Sequence, residues 1–313
     1  MSARLRARLI PGLAFAGITA AVSGVSVFVN SYGVHSVTSP AVYTTGKNFF
    51  AAILLLAFAV VARTRRPYSL PATKDMSRPA LRGVSEVVAL SYVAVVGGGV
   101  AFVMFFDGLA RTSAVPAAFL HDTLVIWVAL VAWPALRERL SVWNAIAIAL
   151  LVVGTVAVGG GVGSLVMNSG NALVLGATVL WGIETVIIRR VFPAFDPASM
   201  GVVRMGGGLG VLVCYLAITG KLGMLFHLDA NALRWVAITG VLLGAYVASW
   251  MVALSRSRAV DVTSILVSSA IVTALLQAVV QHKDLAPEAW GLALVAVGTV
   301  IAAAVARKRS AFA

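Results

Sequence analysis

Ten apolar runs, each about as long as a bilayer is thick, follow one another along this chain with short polar breaks between them. A helix rises 1.5 Å per residue, so roughly 20 apolar residues cross the hydrocarbon core. Reading for such runs predicts helices at about 10–30, 41–62, 83–107, 114–136, 142–159, 170–189, 197–219, 233–254, 261–281 and 287–306. Inside lipid no water bonds the backbone, so runs of this kind become helices rather than loops or open strands. Composition agrees: of 313 residues, 60% are hydrophobic and only 11% charged, too few charges to solvate a soluble protein of that length. No loop is long enough to hold a soluble domain.

The formal net charge is +13, from 24 basic and 11 acidic residues. In a soluble protein that excess would point to nucleic acid. Here the basic residues cluster between apolar runs, so they report orientation instead. With the N-terminus in the cytoplasm, the inner segments hold Arg4, Arg6, Arg8, Arg63, Arg65, Arg66, Lys74, Arg78, Arg82, Arg137, Arg139, Arg189, Arg190, Arg256, Arg258, Arg307, Lys308 and Arg309. The outer loops hold only Arg111, Lys221, Arg234 and Lys283, while Lys47 and Arg204 fall within spans. That asymmetry predicts a multi-pass protein of the cytoplasmic membrane with both termini inside. The longest loop, 63–82, also carries Pro67, Pro71 and Pro79. The run from Ile10 to Val29 behind three arginines resembles a signal peptide, but it is long enough to span, and it reads as a retained first helix. A single cysteine, Cys214, excludes a disulfide framework and a multi-cysteine metal site.

The sequence repeats itself. GLARTSAV at 108–115 matches ALSRSRAV at 253–260, and VVGTV at 152–156 matches AVGTV at 296–300, at offsets of 145 and 144. Earlier in each half, SPAVYTTGK at 39–47 aligns with DPASMGVVR at 196–204, setting Pro40 on Pro197 and Lys47 on Arg204. Five spans is an odd number, so the second copy enters from the opposite side. The predicted fold is an all-α membrane protein of ten transmembrane helices, built as two inverted five-helix repeats at 10–160 and 169–307.

Two segments carry a resemblance: GLARTSAVPAAFL at 108–120, linking the third and fourth helices, and ALRERLSVWNAIAIALLVVGTVAV at 135–158. The second half repeats them loosely as QHKDLAPEAWGLALVAVGTV at 281–300. With these the chain resembles the EamA family of the drug/metabolite transporter superfamily, over about residues 10–307. The resemblance implies ten helices, a central cavity between the halves, and movement of small organic solutes, often outward. One departure stands out: Lys283, with Asp284 beside it, replaces Glu138 in the second copy.

Ionisable residues within spans cost several kcal/mol in lipid, so each needs a reason. Lys47 lies about 9 Å into the second helix and Arg204 at similar depth into the seventh. The expectation is that both face a cavity, pairing with a carboxylate or binding a substrate carboxylate or phosphate; the alternative is snorkelling toward headgroups. His121 and Asp122 lie about 10–12 Å into the fourth helix, where Asp122 could pair with Lys47. His121 titrates near neutrality and is a candidate proton carrier. Glu184 and Glu86 are the candidates to answer Arg204, Glu86 more simply reading as a headgroup residue. Asp107 reads as a helix end beside Arg111, and Asp261 as a helix start. Tyr92, Trp127 and Trp181 are candidate pocket walls, and Asn30 with Tyr43 a candidate outer rim. Trp133, Trp143, Trp235 and Trp290 read as interfacial belt residues. Gly206 with Gly210, and Gly240 with Gly244, have the spacing for close helix approach. Gly97–Gly99 and Gly159–Gly161 could soften their helices.

The chain carries no H-E-x-x-H, G-x-x-x-x-G-K, G-x-G-x-x-G or G-x-S-x-G, so neither an enzyme nor ATP-driven transport is expected. The function predicted is a secondary transporter, an exporter in direction, that moves a small metabolite by alternating access with protons as a candidate coupling ion. No cofactor or metal is expected, and a monomer or homodimer would serve. The alternatives are a membrane enzyme acting on a lipid-linked substrate and a scaffold or sensor without flux.

Overall fold

The computed structural model describes residues 3–64, 84–112, 114–138, 140–159, 161 and 168–312. Arg65, Arg66, Lys74, Arg78, Arg82, Pro67, Pro71, Pro79 and Arg139 lie outside the described residues, as do the side chains of Arg4, Arg6 and Arg8. Among the described residues the protein is helical, with no strand. In chain order the helices are α1 (Ala3–Gly33), α2 (Pro40–Thr64), α3 (Val84–Ala110), α4a (Ala114–Asp122) and α4b (Leu124–Leu136), then α5 (Val142–Val158). There follow α6 (Ser169–Val191), α7 (Pro197–Ile218), α8 (Ala230–Arg256), α9a (Ala259–Leu266), α9b (Ser269–Gln281) and α10 (Ala289–Phe312).

Nine helices among the described residues are at least 18 residues long and apolar enough to cross a membrane. The ten-span expectation falls short at α5, which has 17 residues, a length of about 25 Å. Its ends are fixed chemically. Ser141 and Asn144 form a capping box at its start, satisfying two backbone donors that have no partner within the helix. Gly159 caps its end and Gly161 adopts φ +89°, a left-handed conformation that glycine takes without steric cost. Gly159 and Gly161 therefore terminate this helix rather than soften it, and Gly160 lies outside the described residues. Asp229 caps α8 through Ala232 N–H at 2.7 Å. Asp196 caps α7 through Ala198 and Ser199 N–H, ahead of Pro197 at its first position.

Helix α3 is softened where the glycines predicted it. Its middle, Tyr92–Val100, winds as a π-helix containing Gly97, Gly98 and Gly99, and such bulges occur chiefly at functional sites. A Cβ on Gly98 would meet the Arg204 carbonyl, and one on Gly208 would meet the Gly98 carbonyl, so α3 and α7 touch backbone to backbone. The small-residue expectation thus holds on α7, but at Gly208 rather than at Gly206 and Gly210, where a Cβ would have no neighbour within 4 Å. Helical register explains the difference, since Gly206 and Gly210 turn away from α3. On α8 the expected pair does serve: Gly240 and Gly244 lie against Lys47, Phe50, Ala51 and Leu54 of α2.

α5 lies along α10, and α2 along α7. α1 packs on α8 and α9, while α6 packs on α3 and α4. α2 also lies on α8, and α3 on α7. Trp133, Trp143 and Trp290 are exposed, as belt residues are, whereas Trp235 is half-buried and stacks on Tyr32. Cys214 is exposed on the apolar surface of α7.

Candidate functional site

A cavity of about 900 Å³ lies between the helices. We name the face where α1 begins the first face and the opposite one the second. The cavity reaches the second face, where Thr38, Pro40, Ala110, Thr112, Lys283 and Glu288 line it in or beside the linkers. Its lining also includes Lys47, Trp181, Arg204 and Trp250. Toward the first face the helices are drawn together. Glu138 Oε2 lies 3.6 Å from Arg258 Nε, and Glu138 Oε1 accepts from Ala259 N–H at 3.4 Å. Nearby, Ser257 abuts Gly12, and Arg309 donates to Asn144 at 2.6 Å. Asp261 stands in the first turn of α9a, as expected, but is buried there.

Arg204 forms the floor. Its Nε and Nη2 donate to Glu184 Oε1 and Oε2 at 2.7 and 3.0 Å, and the two residues are 4% and 0% exposed. Two parallel charge-assisted bonds fix the guanidinium plane. Its carbon lies 5.3 Å from the ring centres of both Phe102 and Trp250, within cation–π range. The Gly97 carbonyl accepts from Arg204 Nη2 at 3.4 Å and from Trp181 Nε1 at 2.9 Å, so the π-helical segment is bonded into the floor. Of the two carboxylates that could answer Arg204, Glu184 does so. Glu86, half-buried near the start of α3, makes no ion pair among the described residues.

Lys47 is placed differently. It too lines the cavity and is 4% exposed, but Asp122 does not pair with it. Its Nζ donates to Asn30 Oδ1 at 3.2 Å and lies 4.7 Å from the Phe106 ring centre and 5.6 Å from that of Tyr43. Asn30 Oδ1 also accepts from Tyr43 Oη at 2.7 Å. Asn30 is therefore a wall residue, whereas Tyr43, 0% exposed, stands behind the wall rather than at a rim. Asp122 faces the cavity half-buried, with no ion pair among the described residues. Of the charged residues predicted for the site, Lys47, Asp122 and Arg204 reach one cavity and Glu184 lies behind it, but helix geometry keeps Lys47 and Asp122 apart.

His121 packs its ring against Phe105 and Trp181 at 5.5 and 5.4 Å. Phe102 and Phe106 continue this aromatic wall. Two predicted wall residues lie elsewhere. Tyr92 donates to the Leu180 carbonyl at 3.2 Å, and Trp127 covers Gly182 and donates to Thr123; both serve helix packing and are absent from the cavity wall. Sequence reasoning missed Tyr246, Trp250 and the Phe102–Phe106 group. Their apolar character hides them among lipid-facing neighbours, and only their proximity to Arg204 and Lys47 in space marks them. Asp107 and Arg111 pair at 2.6 Å on the exposed end of α3, as predicted.

The comparisons with known proteins agree with this architecture. A solved protein crystal structure aligns with TM-score 0.72 at 16% identity, covering 93% of this chain and 99% of its own; at that identity the likeness concerns the fold alone. No curated protein matches the chain. The model of the EamA-like transporter family matches twice, at residues 10–160 and 168–304. Together these matches span nearly the whole sequence, and the chain belongs to the EamA-like transporter family of multi-pass membrane proteins.

Proposed function

We propose that this protein is a secondary transporter that exports a small organic metabolite across the cytoplasmic membrane by alternating access. The observation that carries the reading is the cavity itself: it opens at one face, is latched at the other, and contains charged side chains that no packing requirement explains. The first face is cytoplasmic, with both termini, which makes the conformation outward-open. The substrate wall comprises Lys47, His121, Asp122, Trp181 and Arg204, with Glu184 behind it.

We read the chain as two inverted units, 10–160 and 169–307, with α5 as the tenth span. Exchanging the halves maps α1 on α8 to α6 on α3, and α2 on α8 to α7 on α3. The backbone supports the same exchange. Thr123 and Ser268, which interrupt α4 and α9, have φ/ψ of −63°/−6° and −63°/−8°. The left-handed residues Arg137 and His282 end those helices at φ 51° and 54°. In each pair the two positions are 145 residues apart, as in the sequence repeat. Interrupted helices facing a central cavity are the usual device of inverted-repeat carriers.

Two measurements test the reading. Single cysteines at Ser23, Ser26 and Thr273, cavity-lining and part-exposed, in a Cys214→Ser background, should react with an impermeant thiol reagent from the second face. Glu138→Gln weakens the latch and should raise their labelling from the first face several-fold. Labelling confined to one face under every condition would remove alternating access. For coupling, flux in proteoliposomes should rise when a pH gradient is imposed; flux indifferent to that gradient excludes protons.

A further inference from the structure

Each half of the cavity presents one buried cation, and in each half the cation takes its partner from the preceding helix. Arg204 on α7 is held by Glu184 on α6, and Lys47 on α2 is held by Asn30 on α1. The first pair is neutral as a unit. The second has no carboxylate: a neutral amide stands where an acid would close the pair. The other cation lining the cavity mouth, Lys283, is also committed, to Glu288 at 2.6 Å. Lys47 is thus the cavity-lining lysine without a carboxylate within 4 Å among the described residues.

A buried ammonium group served by one amide oxygen is poorly compensated, since leaving water costs far more than a neutral hydrogen bond returns. Asp122 is less enclosed: it is half-buried and faces the cavity, whereas Lys47 is 4% exposed. The unmet electrostatic demand in the cavity is therefore for an anion, and its location is beside Phe106.

We propose that the solute is a small organic anion, whose carboxylate or phosphate joins Lys47 and Asn30 and whose apolar, planar body lies along Phe106, Phe105, Trp181 and His121. The ring of Phe106 is 4.7 Å from Lys47 Nζ, and 5.3–5.5 Å steps lead from Phe106 through Phe105 to Trp181 and His121. A solute that reaches the ammonium group thereby meets an aromatic surface. Arg204 already has its counter-charge in Glu184, bonded through Nε and Nη2, and its Nη1 lies 3.5 Å from Met205 Sδ, so Lys47 is the cation left to meet an anion. That this anion is the transported solute rests on the transporter reading above; the anion site itself does not.

The test uses the purified full-length chain in detergent and three probes with one body and different charge: phenylacetate, phenethylamine and 2-phenylethanol. Phenylacetate should raise the thermal midpoint and the other two should not. Asn30→Asp supplies internally the charge that the solute brings. It should abolish the phenylacetate response, and it should raise the midpoint more in the Lys47 protein than in a Lys47→Met background. A phenylacetate response no larger than that to phenethylamine, or an Asn30→Asp effect that is the same in both backgrounds, overturns the proposal. Binding in detergent needs no flux. If anion binding persists in a protein that the cysteine labelling finds accessible from one face only, the transporter reading fails and this assignment stands.

Discussion

Glu184→Gln is expected to destabilise the protein by about 3–5 kcal/mol, the usual cost of leaving one member of a buried ion pair alone. The amide can still accept from one guanidinium nitrogen, but it brings an N–H₂ group against donors. It also leaves the Arg204 charge, 4% exposed, without a counter-charge. The Phe102 and Trp250 rings offset part of this, by about 1–2 kcal/mol when desolvated, and the Gly97 carbonyl contributes one long bond. Arg204→Gln should be as damaging, since it strands a carboxylate that is 0% exposed. The informative variant is the double apolar replacement, Glu184→Leu with Arg204→Met. Replacing both partners is often neutral or stabilising, so the double should be more stable than either single. Thermal midpoints of the four purified proteins check this directly. A Glu184→Gln protein as stable as its parent would mean that Arg204 is not held as a charged group by this carboxylate.

The membrane class and the span positions were legible because lipid leaves the chain so little choice. An apolar run of 20 residues has to be a helix, and basic loops report its direction. The boundaries were legible where a proline opens the run, as at Pro40 and Asp196–Pro197, whereas the start of α8, read at 233, lies at Ala230 behind the Asp229 cap. What the pattern could not resolve was local winding. The π-helical stretch of α3 and the interruptions at Thr123 and Ser268 lie inside runs that are uniformly apolar, so hydrophobicity reads straight through them. The same uniformity blurred α5, whose run looks like any other until its capping box and terminal glycines limit it to 17 residues.

The candidate site divides along a physical line. Charges were legible, because each one buried in lipid demands an explanation; Lys47, Asp122 and Arg204 all reach the cavity, with Glu184 bonded behind. Partnerships were less so. Depth along a helix suggested that Lys47 and Asp122 meet, but depth says nothing about azimuth, and azimuth turns Lys47 toward Asn30. Aromatic residues were the least legible. Trp181 was identified only because it lies one helical turn from Glu184. Tyr92 and Trp127, each six residues from a titratable residue on its own helix, face neighbouring helices instead.

Azimuth also decides the second large effect. Gly98→Ala and Gly208→Ala should destabilise the protein by about 3 kcal/mol or more, toward the upper end for overpacking, while Gly206→Ala and Gly210→Ala stabilise it by up to about 1 kcal/mol. All four make the same chemical change within α3 or α7, and all gain the same helix propensity, about 1 kcal/mol for glycine to alanine. The difference lies in what the new methyl group meets. At Gly98 it meets the Arg204 carbonyl and lies 3.1 Å from Gly208 Cα; at Gly208 it meets the Gly98 carbonyl and Cα. These neighbours are backbone, so no side-chain rotation relieves the contact and the helices must separate. Separation is costly here because the Gly97 carbonyl is bonded to both Trp181 and Arg204. A half-ångström shift of α3 would loosen the floor of the cavity as well as the helix seam. Gly206 and Gly210 have open space instead, so only the propensity gain remains. Thermal midpoints of the four alanine variants should therefore divide by sign. If all four moved the same way, the backbone contact between α3 and α7 would not be the constraint that places Arg204 beneath the cavity.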